Sequence, residues 1–145
     1  MNAGFLYIVY GDSFFFEECL RSIKSLRGFS KLPIHIKTDN LEFFKNKNIK
    51  NLSVQPLNTD YNFKYRTHQK LSSLKDIPFD ITFFTDTDTF FLNNPEILIS
   101  SDFDLQICRE MCWRTYRQKN VIKLKKSFNS GFFVAKKNIR YQHLI

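Results

Sequence analysis

The chain has 145 residues, 43% hydrophobic and 17% aromatic, with only four Gly and four Pro. That supports one domain with a sizeable core and excludes a disordered or fibrous chain. The net charge of +8 is uneven: residues 1–104 hold 12 Lys/Arg against 13 Asp/Glu, whereas residues 105–145 hold 10 Lys/Arg against one acid, Glu110. A basic section of this kind suits phosphates, nucleic acid or an acidic membrane face, or else is a solvated Lys-rich surface.

Phe5 to Tyr10 is aromatic and β-branched, with Gly11-Asp12-Ser13 behind it. This predicts a buried strand, a turn and a helix N-cap. Residues 14–27 switch to helical spacing through Phe15, Phe16, Cys19, Leu20, Ile23 and Leu26. Phe14 to Phe16 reads as core, and Gly28 closes the helix. Pro33 to Thr38 is a second strand, on which His35 is expected to be half-exposed. Leu41 to Lys47 is a short helix and Leu52 to Leu57 a weaker third strand. The order β-α-β-α-β favours a parallel sheet covered by helices. Residues 58–64 read as a loop and 65–75 as a helix, with Arg66 and Lys70 four apart on one face. His68 lies off that face.

Next comes FDITFFTDTDTFF, residues 79–91. Ile81 to Thr85 reads as a buried strand. It runs directly into Asp86 and Asp88, and charges in such a place must be paired, hydrated or bound to a cation. Side chains at i and i+2 of an extended segment point the same way, so the two acids are suited to one hard divalent ion. A polar turn after a strand is the plainer alternative. Asn94 to Ser100 is expected to be a short helix and Phe103 to Cys108 a strand. Residues 109–126 interleave seven basic residues with Trp113 and Tyr116. That pattern suits single-stranded nucleic acid or a loop over a pyrophosphate. Phe128 to Ala135 is an apolar strand interrupted by Asn129-Ser130-Gly131, where Gly permits close backbone approach.

Cys19, Cys108 and Cys112 form no disulfide framework or zinc pattern and are read as reduced thiols. No window reaches the roughly 18 apolar residues of a membrane span, and the N-terminus lacks a signal-peptide pattern. The expected location is cytoplasmic, at most peripheral to a membrane.

In a parallel α/β sheet, ligands bind outside the carboxyl ends of the strands. Asp12, Asp86 and Asp88 all fall just past strand ends, on one edge. Two enzyme classes place acids there. Haloacid-dehalogenase-like phosphatases use a DxDx(T/V) motif with a nucleophilic Asp, but here the fifth position is Phe90, and the later acids Glu96, Asp102, Asp104 and Glu110 form no second pair at a strand end. In the other class the pair holds a metal that bridges a nucleotide diphosphate.

TFFTDTDTFFLNNPE resembles the DxD segment of nucleotide-sugar-dependent glycosyltransferases of the GT-A fold, similar to glycosyltransferase family 8. FLYIVYGDSFFFEECLRSIKSLR is similar to their first nucleotide-binding strand and helix, and FNSGFFVAKKN to their FNxGxxxxK segment. The resemblance implies an α/β GT-A fold: a Rossmann-like, mostly parallel sheet with helices on both faces, in a single domain spanning 1–145 that is short at its C-terminus. It implies transfer of a sugar from a UDP- or GDP-linked donor to a hydroxyl of a glycan, lipid or protein acceptor. Asp86 and Asp88 would bind Mn²⁺ or Mg²⁺. Tyr10, Gly11, Asp12, Arg66, Lys70, Asp86 and Thr87 would bind the nucleotide, and Asn129, Ser130 and Gly131 the donor sugar. Family members usually continue past the FNxG strand with a further metal ligand, for which His143 is the sole candidate, and no general base is identified. The alternatives are a truncated, inactive relative, or a non-catalytic module that uses its basic section to bind nucleic acid or an anionic surface.

Overall fold

The computed structural model describes residues 2–57, 76–99, 103–109 and 128–137. In chain order they form β1 (Ala3–Val9), α1 (Ser13–Arg27), β2 (Ile34–Thr38), α2 (Leu41–Lys45), β3 (Leu52–Pro56), β4 (Ile81–Thr85), a 3₁₀ turn (Pro95–Leu98), β5 (Leu105–Arg109) and β6 (Phe128–Lys136). The strands make one six-stranded sheet in the order β3-β2-β1-β4-β6-β5. β3, β2, β1 and β4 are parallel, and β6 runs antiparallel between β4 and β5. The α/β, mostly parallel sheet expected from the β-α-β-α-β order is therefore present. The helix expected over 65–75 lies outside the described residues.

The central strands are apolar because both of their faces are buried. One face packs Phe5, Tyr7 and Val9 of β1, Ile34 and Ile36 of β2, and Ile81 and Phe83 of β4. α1 covers this face with Phe16, Cys19, Ile23 and Leu26, spaced three and four apart, so its apolar stripe follows the helical period. Phe44 of α2 joins the same cluster. The other face gathers Leu6, Ile77, Phe84, Phe133 and Ala135. Much of the Phe content becomes aromatic pairing between adjacent strands. Phe5 stacks on its register partner Phe83 at 4.7 Å and Phe84 on its partner Phe133 at 4.4 Å. Such facing pairs add to plain burial, which is worth about 1.5–3 kcal/mol for each Phe.

Several local expectations need correction. His35 is only 5% exposed, because β2 lies between two parallel neighbours and is buried along its whole length. The imidazole shares a hydrogen bond with Ser53 Oγ at 2.7 Å. Two places further along β2, Lys37 is also buried and pairs with Asp76 at 2.9 Å. Of the Phe14–Phe16 run, only Phe16 is buried, while Phe14 is 59% exposed, since a helix presents consecutive residues on different faces. Asp12 occupies the N-cap of α1 in extended geometry, but its side chain makes no capping bond. The helix expected over 94–100 is a single 3₁₀ turn, capped by Asn94, whose side chain accepts the Glu96 N–H at 2.9 Å. Gly28 does close α1. There the Arg27 guanidinium ties down the following chain, donating to the carbonyls of Ser30, Leu32 and Lys50. Cys19 is a buried free thiol, and burial pushes its ionisation up, which keeps it inert. No helix among the described residues is long and apolar enough to cross a membrane.

Gly4 sits mid-strand opposite Thr82. A Cβ there would lie 2.5 Å from the Phe79 ring, and Phe79 is itself buried. Gly4→Ala is therefore expected to cost about 1–3 kcal/mol through overpacking, read as a lower urea midpoint at unchanged slope.

A second expectation concerns pH. Burial, and then the nearby Lys37 charge, lower the pKa of His35. The unfolded chain takes up a proton near the ordinary histidine value of about 6.5, whereas folded His35 resists it. The unfolded state then binds more protons, so stability is full above that pH and declines as pH falls below it. Urea midpoints measured from pH 7.5 to 5 should fall, and His35→Gln should flatten that slope.

Candidate functional site at the ends of β1 and β4

The chain winds outward from β1 to β2 and β3 on one side and places β4 on the other. The crevice between the carboxyl ends of β1 and β4 is thus a topological switch point, where open α/β sheets bind ligands. β4 is buried along its whole length, so Asp86 is the first residue after Ile81 free to carry a charge at low cost.

Asp86 to Thr89 is not extended as expected. The Thr89 N–H donates to the Asp86 carbonyl at 3.2 Å, which closes a turn. Asp86 is half-buried and Asp88 exposed. Two further contacts come from β6. The Gly131 carbonyl accepts the Asp86 N–H at 2.7 Å and the Thr89 hydroxyl at 3.4 Å. β6 can do this because Gly131 is next in register after the Thr85↔Phe132 pair of the β4–β6 ladder. Ile107 of β5 faces Phe133, but the next residue, Cys108, faces Asn129. On the β5 side, β6 carries Ser130, Gly131 and Phe132 between those two register pairs, a bulge that lies beside the acid turn. Bulges are over-represented next to functional edges.

Helix α1 supports the turn from its other side. Thr87 donates its hydroxyl hydrogen bond to Glu18 Oε2 at 3.3 Å. The Phe91 N–H donates to Ser25 Oγ at 3.0 Å, and Ser25 in turn donates to the Ser22 carbonyl at 2.7 Å. The Ser22 hydroxyl meets the Tyr7 hydroxyl at 3.0 Å. Phe91 itself is buried, edge-on to Phe5 and Phe132. Further along, Ser30 donates to Glu96 at 2.6 Å.

Tyr10, Asp86, Thr87 and Asp88 line one cavity of about 220 Å³, together with Phe15 and Glu18. The structure thereby gathers three of the residues expected at the nucleotide, Tyr10, Asp86 and Thr87, with Asp88, expected at the metal. Gly11 and Asp12 follow Tyr10 immediately and lead into α1. Gly11 has φ +93, a conformation that L side chains rarely adopt. Its N–H donates to Asp39 Oδ2 at 2.9 Å, so the end of β2 also braces the site. Gly131 reaches the turn through its carbonyl. Asn129 and Ser130 belong to the bulged part of β6. Arg66, Lys70 and His143 lie outside the described residues.

Glu18, Ser25 and Asp39 were not singled out from the sequence. Glu18 and Ser25 fall on the polar side of an amphipathic helix, where surface residues are the default. Asp39 followed a strand as Asp86 does, but without a second acid to mark it. Among the described residues, no group of three or more His, Cys, Asp or Glu is placed to hold a metal ion. The acid turn itself carries two carboxylates, Asp86 and Asp88. Two carboxylates suit an ion such as Mg²⁺ that keeps its remaining positions for phosphate oxygens and water.

No family model matches the sequence, and no curated protein matches it. Solved structures do. A galactosyltransferase, LgtC, in complex with donor and acceptor sugar analogues superposes with a TM-score of 0.59 at 13% identity, over 92% of this chain and 58% of that one. An active-site mutant of LgtC gives a TM-score of 0.61 at 14% identity, over 92% and 57%. The chain thus spans somewhat under three fifths of the length of the structures it matches. At this identity the likeness concerns architecture, and the six-stranded, mostly parallel α/β sheet matches the GT-A glycosyltransferase fold of these neighbours.

Proposed function

We propose that the protein is a metal-dependent glycosyltransferase that moves a sugar from a UDP- or GDP-linked donor to an acceptor hydroxyl. The observation that carries this reading is the position of Asp86 and Asp88. They occupy a braced turn at the switch point of a GT-A-type sheet, in a cavity shared with Tyr10 and Thr87. That cavity is lined by three carboxylates, from Glu18, Asp86 and Asp88, and by no cationic side chain among the described residues. A diphosphate approaching them needs a cation between, and a divalent ion supplies it.

In this reading Asp86 and Asp88 would hold Mn²⁺ or Mg²⁺. The ion, when bound, offsets the negative charge that grows on the leaving group. The acceptor oxygen forms its bond to the anomeric carbon as the bond from that carbon to the diphosphate oxygen breaks. The nucleoside diphosphate leaves with the electron pair, and the acceptor proton is released. Tyr10, Gly11, Asp12 and Thr87 contact the nucleotide, with Arg66 and Lys70 adding positive charge at the phosphates. Asn129, Ser130 and Gly131 face the donor sugar. LgtC has been captured with donor and acceptor sugar analogues, in line with a site of this kind.

The test is a thermal shift with UDP-glucose, UDP-galactose and GDP-mannose, each with and without Mn²⁺. At a donor concentration about 100-fold above Kd, the expected stabilisation is about 2.7 kcal/mol. It should require the metal and disappear in Asp88→Asn. Salt-sensitive oligonucleotide binding that is unchanged by Asp88→Asn, with no response to any nucleotide sugar, would instead favour a binding module built on the basic section.

A further inference from the structure

A second and larger cavity of about 590 Å³ runs between α1 and the segment Thr87 to Phe90. It falls within the roughly 300–1,000 Å³ of ordinary ligand sites. It shares Glu18, Thr87 and Asp88 with the smaller cavity, so the two chambers meet at the acid turn. We propose that this groove is a binding subsite for a neutral saccharide, held between the Phe90 ring and the polar side chains of α1.

Three observations support this occupant. The first is charge. Among the described residues the groove is lined by two carboxylates, Glu18 and Asp88, and two cations, Arg21 and Lys24. The formal charges of these four cancel, so together they favour neither an anion nor an amine. It offers acceptors and donors side by side, with Ser22, Ser25 and Thr89 hydroxyls among them. Vicinal hydroxyls of a sugar can bridge such a set, because each hydroxyl both donates and accepts, and bonds to ionised partners are the stronger ones.

The second is Phe90. It is 67% exposed, whereas its neighbour Phe91 already supplies the buried contacts to Phe5 and Phe132. The fold does not use the Phe90 ring as core. A flat apolar ring on the wall of a polar groove fits the C–H face of a pyranose, which is the apolar side of an otherwise polar ligand.

The third is order. The Phe91 N–H is anchored on Ser25, and Thr87 on Glu18. Arg21 lies over the Phe14 ring at 5.9 Å, a cation–π arrangement that restrains the guanidinium. The walls are therefore set before a ligand arrives, which lowers the entropic cost of binding.

In the transferase reading, on which only this role rests, the occupant is the acceptor, because Asp88 borders both chambers. Saccharide binding itself stands or falls separately. The experiment is saturation-transfer NMR with three neutral disaccharides, lactose, maltose and chitobiose, on the wild type, Phe90→Ala and Arg21→Ala. At least one disaccharide should bind the wild type. Loss of the exposed ring, or of the guanidinium, should weaken it by about tenfold or more. Thermal midpoints of the variants should be unchanged, since neither side chain is core, and Phe90→Ala should keep the Mn²⁺-dependent response to nucleotide sugars. The inference is overturned if none of the three binds, or if both variants bind as the wild type does. Disaccharide binding that depends on Phe90, without any response to nucleotide sugars and Mn²⁺, would sustain this subsite while removing the transferase reading.

Discussion

β4 is buried on both faces, between β1 on one side and β6 on the other, and every residue from Ile81 to Thr85 is buried. A strand so placed cannot carry a charge without several kcal/mol of desolvation. Charge is therefore excluded for five residues and then permitted where the strand meets the sheet edge. Asp86 stands at that boundary. The same burial fixes its direction, because β4 is hydrogen-bonded in parallel to β1 over five residue pairs, Ala3↔Ile81 to Tyr7↔Thr85. A slip of one residue would exchange Phe83 for Phe84 across the two faces. The stacked pairs Phe5–Phe83 and Phe84–Phe133 oppose such a slip from both sides at once. The position of the acid turn thus follows from packing of the strand before it.

Packing sets where the turn begins, but not its shape. That depends on β6, the one strand of the sheet that runs against β4. An antiparallel neighbour brings its own earlier residues to the end of β4, and Phe132 faces Thr85. The next place in the same register sets the Gly131 carbonyl on the Asp86 N–H. From the other face, Glu18 and Ser25 of α1 hold Thr87 and the Phe91 N–H. Three elements distant in sequence therefore meet on a four-residue turn. The turn is thus braced by hydrogen bonds from the chain's own β6 and α1.

The strands and their direction were readable because they rest on strong local signals. FLYIVY and ITFFT are too apolar and β-branched to be anything but buried, and the helical period of residues 14–27 is clear. The acid pair was readable because two charges at a strand end are physically conspicuous. His35 was misjudged because PIHIKT looks like a half-exposed alternating strand. Its burial depends on β1 and β3 flanking it, which no local pattern states. The shape of Asp86 to Thr89 was misjudged for a similar reason, since the extended reading ignored hydrogen bonds available from Gly131, 45 positions later. FNSG did announce itself through its glycine, although the structure assigns Gly131 a further task as an acceptor for the turn. Glu18 could not be found at all, because a Glu on an exposed helix face is ordinary until a cavity is known to open there.

Glu18 also bears on how charge is distributed in the site. A carboxylate beside Asp86 and Asp88 raises the negative potential of the smaller cavity, which would repel a diphosphate arriving alone. It is held on Thr87, and the three acids do not form a metal-binding group. In the proposed reading its effect on an ion at the other two would be through space, a carboxylate charge that strengthens attraction for a cation. In the larger groove Glu18 lies on the same α1 wall as Arg21 and Lys24, whose charges offset its own. One side chain thus borders a chamber suited to a cation with its phosphates and another suited to a neutral ligand. The proposed transfer would need both kinds of chamber in contact, and the two cavities meet at Glu18, Thr87 and Asp88.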